Sequence, residues 1–130
     1  MLLDTSGLLA LLDAREAQHQ RARGIYAGAI SRVTHALVLA ELVALTNARG
    51  VPCSLVLQFV TSLIANPDIE TVWPDESLVS QAIALLMSRQ GRRYSLCDAV
   101  SFVVMRRRNV TQALTTDRHF EDEAFVRLLT

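Results

Sequence analysis

Short apolar runs alternate with longer stretches of helical periodicity from one end of the chain to the other. Leu2 to Asp4 reads as a very short strand, and Thr5 or Ser6 can cap a helix running to about Asp13. A polar, amphipathic helix is predicted from about Glu16 to Ala29, then a second short strand from Ile30 to Thr34. Ala36 to Ala48 has the length and content of a helix, with Gly50 closing it. It is apolar on nearly every face, as expected of a helix that is buried or covered by a partner. Pro52 opens another helix that stops at Asn66-Pro67-Asp68, and Ile69 to Trp73 alternates as a strand does. Asp75 caps a helix to about Gln90, and Ser95 caps one to Arg108, where arginines 106–108 suit the C-terminal dipole. Gln112 to Thr116 is a strand, and Phe125 to Leu129 is the candidate for the last.

Strands separated by helices require crossover connections, which build a mainly parallel sheet covered on both faces. The expected fold class is therefore α/β: a single three-layer α/β/α domain over residues 1–130, with short strands. No repeat, low-complexity tract or linker divides it. Half the residues are apolar and a fifth are charged, enough for a full core and too few charges for a disordered chain.

Charge changes the picture through its placement, since 13 acidic and 13 basic residues leave no net charge. Asp4 is the only charged side chain before Asp13, Glu41 the only one between Arg32 and Arg49, and Asp98 the only one between Arg93 and Arg106. Asp117 ends the run Val-Thr-Gln-Ala-Leu-Thr-Thr-Asp. A lone carboxylate in a segment destined for burial is costly unless something compensates it. Each has an ordinary explanation taken singly. Asp4 can cap a helix, Asp98 can favour a helix dipole, and Asp117 can sit in a turn. Glu41 is harder to dismiss, being in mid-helix with Leu45 at i+4. Four together suggest one shared partner, and a divalent cation is the simplest. The predicted elements agree, because Asp4 and Asp117 each close a strand at the edge where open parallel sheets bind ligands.

All 13 basic residues are arginine. Without lysine, a Walker A nucleotide site, Schiff-base chemistry and a response-regulator receiver are excluded. Cys53 and Cys97 have no metal or redox spacing and are read as buried thiols of a reducing compartment. Three residues before Asp4 are too few for a signal peptide, and the longest uncharged stretch, Gly50 to Pro67, is too polar for a membrane span. A cytoplasmic protein is expected. His19, His35 and His119 share no ligand spacing and are read as surface or loop residues.

Leu3-Asp4-Thr5-Ser6, the Leu-Ala-Glu-Leu helix around Glu41, Tyr94-Ser95-Leu96-Cys97-Asp98-Ala99 and Leu114-Thr115-Thr116-Asp117-Arg118-His119-Phe120 follow in an order and spacing that resembles the PIN-domain ribonucleases. Among them the chain is most similar to the small toxins of VapBC-type toxin–antitoxin pairs, over essentially its whole length. The resemblance implies a metal-dependent endoribonuclease whose acidic pocket is lined by Asp4, Glu41, Asp98 and Asp117, with Ser6 and Thr116 in supporting positions. Mg²⁺ or Mn²⁺ is the cofactor expected of hard oxygen ligands. Asp4, Asp98 and Asp117 are expected as principal ligands, and Glu41 as an outer ligand or the group orienting the attacking water. RNA is the implied substrate, with Arg92 and Arg93 as candidate phosphate contacts. A small antitoxin and a homodimer are the implied partners, using the helices at Ala36–Ala48 and Pro52–Ala65. Alternatives are an RNA-processing or decay nuclease without an antitoxin, and a non-catalytic module that binds a partner through the acids. A haloacid-dehalogenase-type phosphatase fits poorly, because Ser6 stands where that pattern needs a second Asp and the usual Lys is missing.

Overall fold

Leu2 and Leu3 are both fully buried, yet they belong to two different halves of the core. Successive side chains of a strand leave opposite faces, so β1 (Leu2–Leu3) divides the interior in two. The computed structural model describes residues 1–130. The elements that follow are α1 (Thr5–Leu12), α2 (His19–Gly28), β2 (Arg32–His35), α3 (Ala36–Ala48), α4 (Cys53–Ala65) and β3 (Ile69–Val72). After these come α5 (Glu76–Ser88), α6 (Leu96–Arg107), β4 (Gln112–Leu114), α7 (His119–Asp122) and β5 (Val126–Arg127).

The five strands lie in the order β3-β2-β1-β4-β5, and every pairing is parallel. Leu3 and Leu114 pack with Leu8, Leu9, Val38, Leu42 and Leu63 of α1, α3 and α4. Leu2 and Ala113 pack with Leu78, Phe102 and Phe120 of α5, α6 and α7. This is the three-layer α/β/α arrangement expected from the alternation of elements. From β1 the chain builds outward through β2 to β3. It then returns through α5 and α6 to start β4 on the other side of β1. The strand order therefore reverses between β1 and β4, and in parallel sheets that reversal opens a crevice at the carboxyl ends of the two strands.

Several boundaries differ from expectation for identifiable reasons. Ile30 is fully exposed, and β2 runs instead from Arg32 to His35, directly into α3. Residues 13–18 form turns rather than the first turn of α2, fixed by the Asp13–Arg15 and Glu16–Arg49 ion pairs. Arg106 and Arg108 do not serve the α6 dipole alone. They pair with Glu123 at 2.8 Å and Glu70 at 2.6 Å. Cys53 is exposed at the start of α4, so only Cys97 is a buried thiol.

Two polar contacts fix the helices that carry the acids. His35 is completely buried, and burial pushes its imidazole down to about 4. The ring is neutral: Nδ1 accepts from Val38 N, so Nε2–H donates to Ser101 Oγ at 2.8 Å, tying the start of α3 to α6. Glu123 is buried after α7. Burial alone would raise its carboxyl, but hydrogen bonds from Arg106, Arg89 and the Tyr94 hydroxyl bring it below its usual value.

α1 lies unusually close to β4 at Gly7. A Cβ there would stand 2.0 Å from the main-chain oxygen of Leu114. Alanine in a helix interior normally gains up to about 1 kcal/mol over glycine. A clash with backbone outweighs that, since overpacking costs typically ~1–3 kcal/mol. Gly7→Ala is expected to lower the denaturation midpoint in urea; an unchanged or raised midpoint would show that α1 can move away from β4 at little cost.

Candidate metal centre

Asp4 directly follows β1 and stands at the N-cap position of α1, but its side chain makes no capping hydrogen bond. The ordinary explanation for this residue therefore fails. The carboxylate is buried, and its Oδ2 accepts from Thr115 Oγ1 at 2.7 Å. Thr115 follows β4, with its hydroxyl oxygen accepting from the Asp117 amide at 3.0 Å and lying 3.1 Å from Ser6 Oγ. Ser6 Oγ in turn accepts from the Thr116 amide at 2.9 Å. Thus Ser6 is linked to Asp4 through Thr115, while Thr116 joins this network only through its main chain. Thr115 supplies the supporting hydroxyl.

Asp98 comes from the first turn of α6. Its Oδ2 accepts from the Ser95 amide at 3.0 Å, and Ser95 Oγ accepts from the Asp98 amide at 3.0 Å, a reciprocal capping box. Asp117 uses Oδ1 to accept from the His119 amide at 2.9 Å, closing a turn. Both ordinary readings thus hold for these two acids, yet each occupies a single carboxylate oxygen and leaves the other open. Glu41 projects from α3 and is exposed. Its charge reaches both Asp4 and Cys97.

The four carboxylates form a chain of charge interactions rather than one tight cluster, and Asp4 and Glu41 stand outside the group of donor atoms set closest together. Asp4 feels the charges of Asp98 and Glu41, and Asp98 feels that of Asp117. Ligand atoms of Asp98, Asp117 and His119 all lie within 4.8 Å of one another. His119 is the residue of this cluster that sequence reasoning missed. It is 21 positions from Asp98, and only the fold brings them together.

Electrostatics set the cluster apart from most of the other acids. Of the nine remaining acidic residues, six are paired with arginine: Asp13, Glu16, Glu70, Glu121, Asp122 and Glu123. No arginine pairs with Asp4, Glu41, Asp98 or Asp117. Burial, more than its neighbours, raises Asp4 from 3.8 to about 7, partly offset by the Thr115 hydrogen bond. Asp98 is raised as well, again chiefly by burial, with Asp117 adding to it. The Cys97 thiol beside them is pushed far up and stays protonated. The donors are hard carboxylate oxygens with no arginine partner, the His119 imidazole being the basic group beside Asp98 and Asp117, a set that fits a divalent metal ion. Arg92 of the expected phosphate contacts reaches Asp122 at 3.4 Å, whereas Arg93 is exposed and without a carboxylate partner.

The Asp4 shift has a measurable sign. Between pH 3.8 and about 7 the unfolded chain loses this proton while the folded protein keeps it. Stability therefore falls as pH rises through that window, by on the order of 4 kcal/mol at ~1.4 kcal/mol per pH unit. His35 works the other way, since its folded value lies below 6.5, and its penalty fades as pH rises from about 4 to 6.5. The two slopes largely cancel in the native protein, so a difference measurement is needed. In EDTA, Asp4→Asn is expected to melt higher than wild type at pH 8, with the gap closing towards pH 4. A gap independent of pH would mean that Asp4 is not held protonated.

The PIN domain family matches residues 1–126. The 23S rRNA-specific endonuclease VapC20 of two Mycobacterium tuberculosis strains is 33% identical over 127 residues, covering 97% of this chain and 95% of the relative. A solved structure of M. tuberculosis VapC20, described as a Sarcin-Ricin loop cleaving toxin, superposes with a TM-score of 0.88 at 28% identity. That match covers 96% of this chain and 95% of the other. With this sheet order and this acidic edge, the chain belongs to the PIN-domain family.

Proposed function

We infer that this protein is a metal-dependent endoribonuclease of the VapC toxin type, acting on RNA phosphodiester bonds at the β1/β4 edge. The observation that carries the reading is that Asp98 and Asp117 offer oxygens within 4.8 Å of each other, and that a chain with 13 arginines assigns none to them, to Asp4 or to Glu41. Similarity to VapC20 over almost the full length supports it and makes 23S rRNA the first substrate to test. Mg²⁺ or Mn²⁺ is the proposed cofactor. Asp4, Asp98 and Asp117 would hold it, each with one oxygen already fixed by a hydrogen bond. The chemistry supplied by such an ion is Lewis acidity towards water and a phosphate oxygen. Glu41, exposed beyond the other acids, would act as an outer ligand or orient the attacking water. Exposed Arg93 and Arg118 flank the acidic segments and would meet the RNA backbone.

Partners are proposed on the same footing. A small antitoxin would silence the pocket by supplying the arginine that the protein itself withholds. Leu55, Leu57 and Ile64 of α4 are 42–49% exposed, and an apolar groove of about 350 Å³ lies between α1, α2 and α4. α3 is less available than expected, with Val38, Leu39, Leu42 and Thr46 buried. On α5, Ile83 and Met87 form an exposed apolar pair one turn apart, suited to a homodimer contact. No helix is long and apolar enough to cross a membrane, and a cytoplasmic setting is proposed.

Asp98→Asn removes the charge while the amide oxygen can still accept from Ser95 N. Metal-dependent cleavage of a cellular RNA pool is expected to fall by roughly 100-fold or more in this variant, and EDTA should abolish it in wild type. Saturating Mg²⁺ or Mn²⁺ should raise the wild-type melting temperature, a stabilisation of about 2.7 kcal/mol at a hundred times Kd, with no shift in Asp98→Asn. Equal cleavage or equal shifts in both proteins would sink the assignment.

A further inference from the structure

His119 Nδ1 lies 3.4 Å from Asp98 Oδ2 and 3.5 Å from Asp117 Oδ2. Both separations are long for a hydrogen bond to a carboxylate, which closes to ~2.7–2.9 Å when charge-assisted. The protein makes tight bonds elsewhere, including His19 Nδ1 to the Ala10 carbonyl at 2.7 Å and Arg106 to Glu123 at 2.8 Å. The spacing suits a different purpose. Donors about 2.1 Å from one ion and at right angles stand roughly 3 Å apart, and wider angles or longer bonds give about 3.5 Å. His119 and Asp98 thus make at most a long hydrogen bond, and the three donor atoms, all within 4.8 Å of one another, have the spacing that a shared cation would bridge.

The imidazole is held in this position from two sides. Its own main-chain amide donates to Asp117 Oδ1 at 2.9 Å, which leaves Asp117 Oδ2 as the oxygen near the ring. The Tyr94 ring packs edge-on against it with centroids 5.1 Å apart. Tyr94 is itself anchored through its hydroxyl to buried Glu123, at 3.0 Å.

We propose that His119 is a nitrogen ligand of the cation and gives the site a preference for Mn²⁺ over Mg²⁺. The inference rests on reading the pocket as a metal centre. Carboxylates accept both ions, whereas Mg²⁺ favours an all-oxygen shell and imidazole favours transition metals. One nitrogen among oxygens is therefore enough to bias the choice. Asp98 and Asp117 supply the oxygens beside it, and Asp4 and Glu41 keep the remainder of the site anionic.

The test is Mn²⁺ binding to the metal-free protein by electron paramagnetic resonance, with Mg²⁺ as competitor and pulsed detection of nitrogen coupling. Wild type should show imidazole nitrogen coupling to bound Mn²⁺. His119→Ala should lose that coupling and bind Mn²⁺ roughly tenfold more weakly or worse, the scale on which even outer partners of metal ligands act, with Mg²⁺ affinity nearly unchanged. His119→Asp, which offers oxygen in place of nitrogen, should recover binding of both ions without coupling and with a smaller Mn²⁺ preference. Its recovery guards against a folding defect in the alanine variant. Bound Mn²⁺ without nitrogen coupling in wild type, or an Mn²⁺ to Mg²⁺ ratio unchanged by His119→Ala, overturns the inference and leaves the metal centre standing. Failure of wild type to bind Mn²⁺ at all overturns both.

Discussion

Uncompensated negative charge at the carboxyl ends of β1 and β4 is the constraint around which the rest of this protein is arranged. Asp4 and Asp98 are held in a buried setting that raises both of them, a cost the fold must meet elsewhere. It does so with neutral donors. The Thr115 hydroxyl and the Ser95 and His119 amides each satisfy one carboxylate oxygen, and none of them cancels the charge. Arginine would have stabilised the site better, as it does Glu123, and would have closed it to a metal ion. On the proposed reading, stability is given up here for a place where a cation and a phosphate can meet.

Geometry at this edge is set by packing some distance from it. Gly7 lets α1 press against Leu114, which keeps Ser6 within reach of Thr115 and Thr116. His35 and Ser101 join α3 to α6, tying together the helices that bear Glu41 and Asp98. Glu123 gathers Arg89, Arg106 and Tyr94, and Tyr94 in turn supports the His119 ring. The first two ties are neutral, and the third keeps its two arginines on Glu123 and away from the acids at the edge.

Much of the fold could be read from the residues, because alternation and helical periodicity are strong signals over ten or more positions. The failures fall where those signals are short. α7 has four residues, too few for a period, and the start of α2 was lost to the Asp13–Arg15 turn, whose ion pair no pattern reveals. At the site, Asp4, Glu41, Asp98 and Asp117 stood out because isolated charge in an apolar run is visible in one dimension. Thr115 was passed over for Thr116, since two adjacent threonines at a strand end differ only in the side from which they emerge. His119 carried a faint local signal, lying two residues after Asp117 where an aspartate turn returns the chain. Its nearness to Asp98 and Tyr94 belongs to the tertiary fold alone.

The central claim is that a divalent cation, rather than a protein side chain, neutralises this edge. Anomalous diffraction from crystals soaked in Mn²⁺ tests it directly. A strong anomalous peak is expected within coordination distance of Asp98 and Asp117, and is expected to be lost in Asp98→Asn crystals. No peak at the β1/β4 edge under saturating Mn²⁺, or an arginine side chain swung in to pair with Asp4 and Asp98, would contradict it.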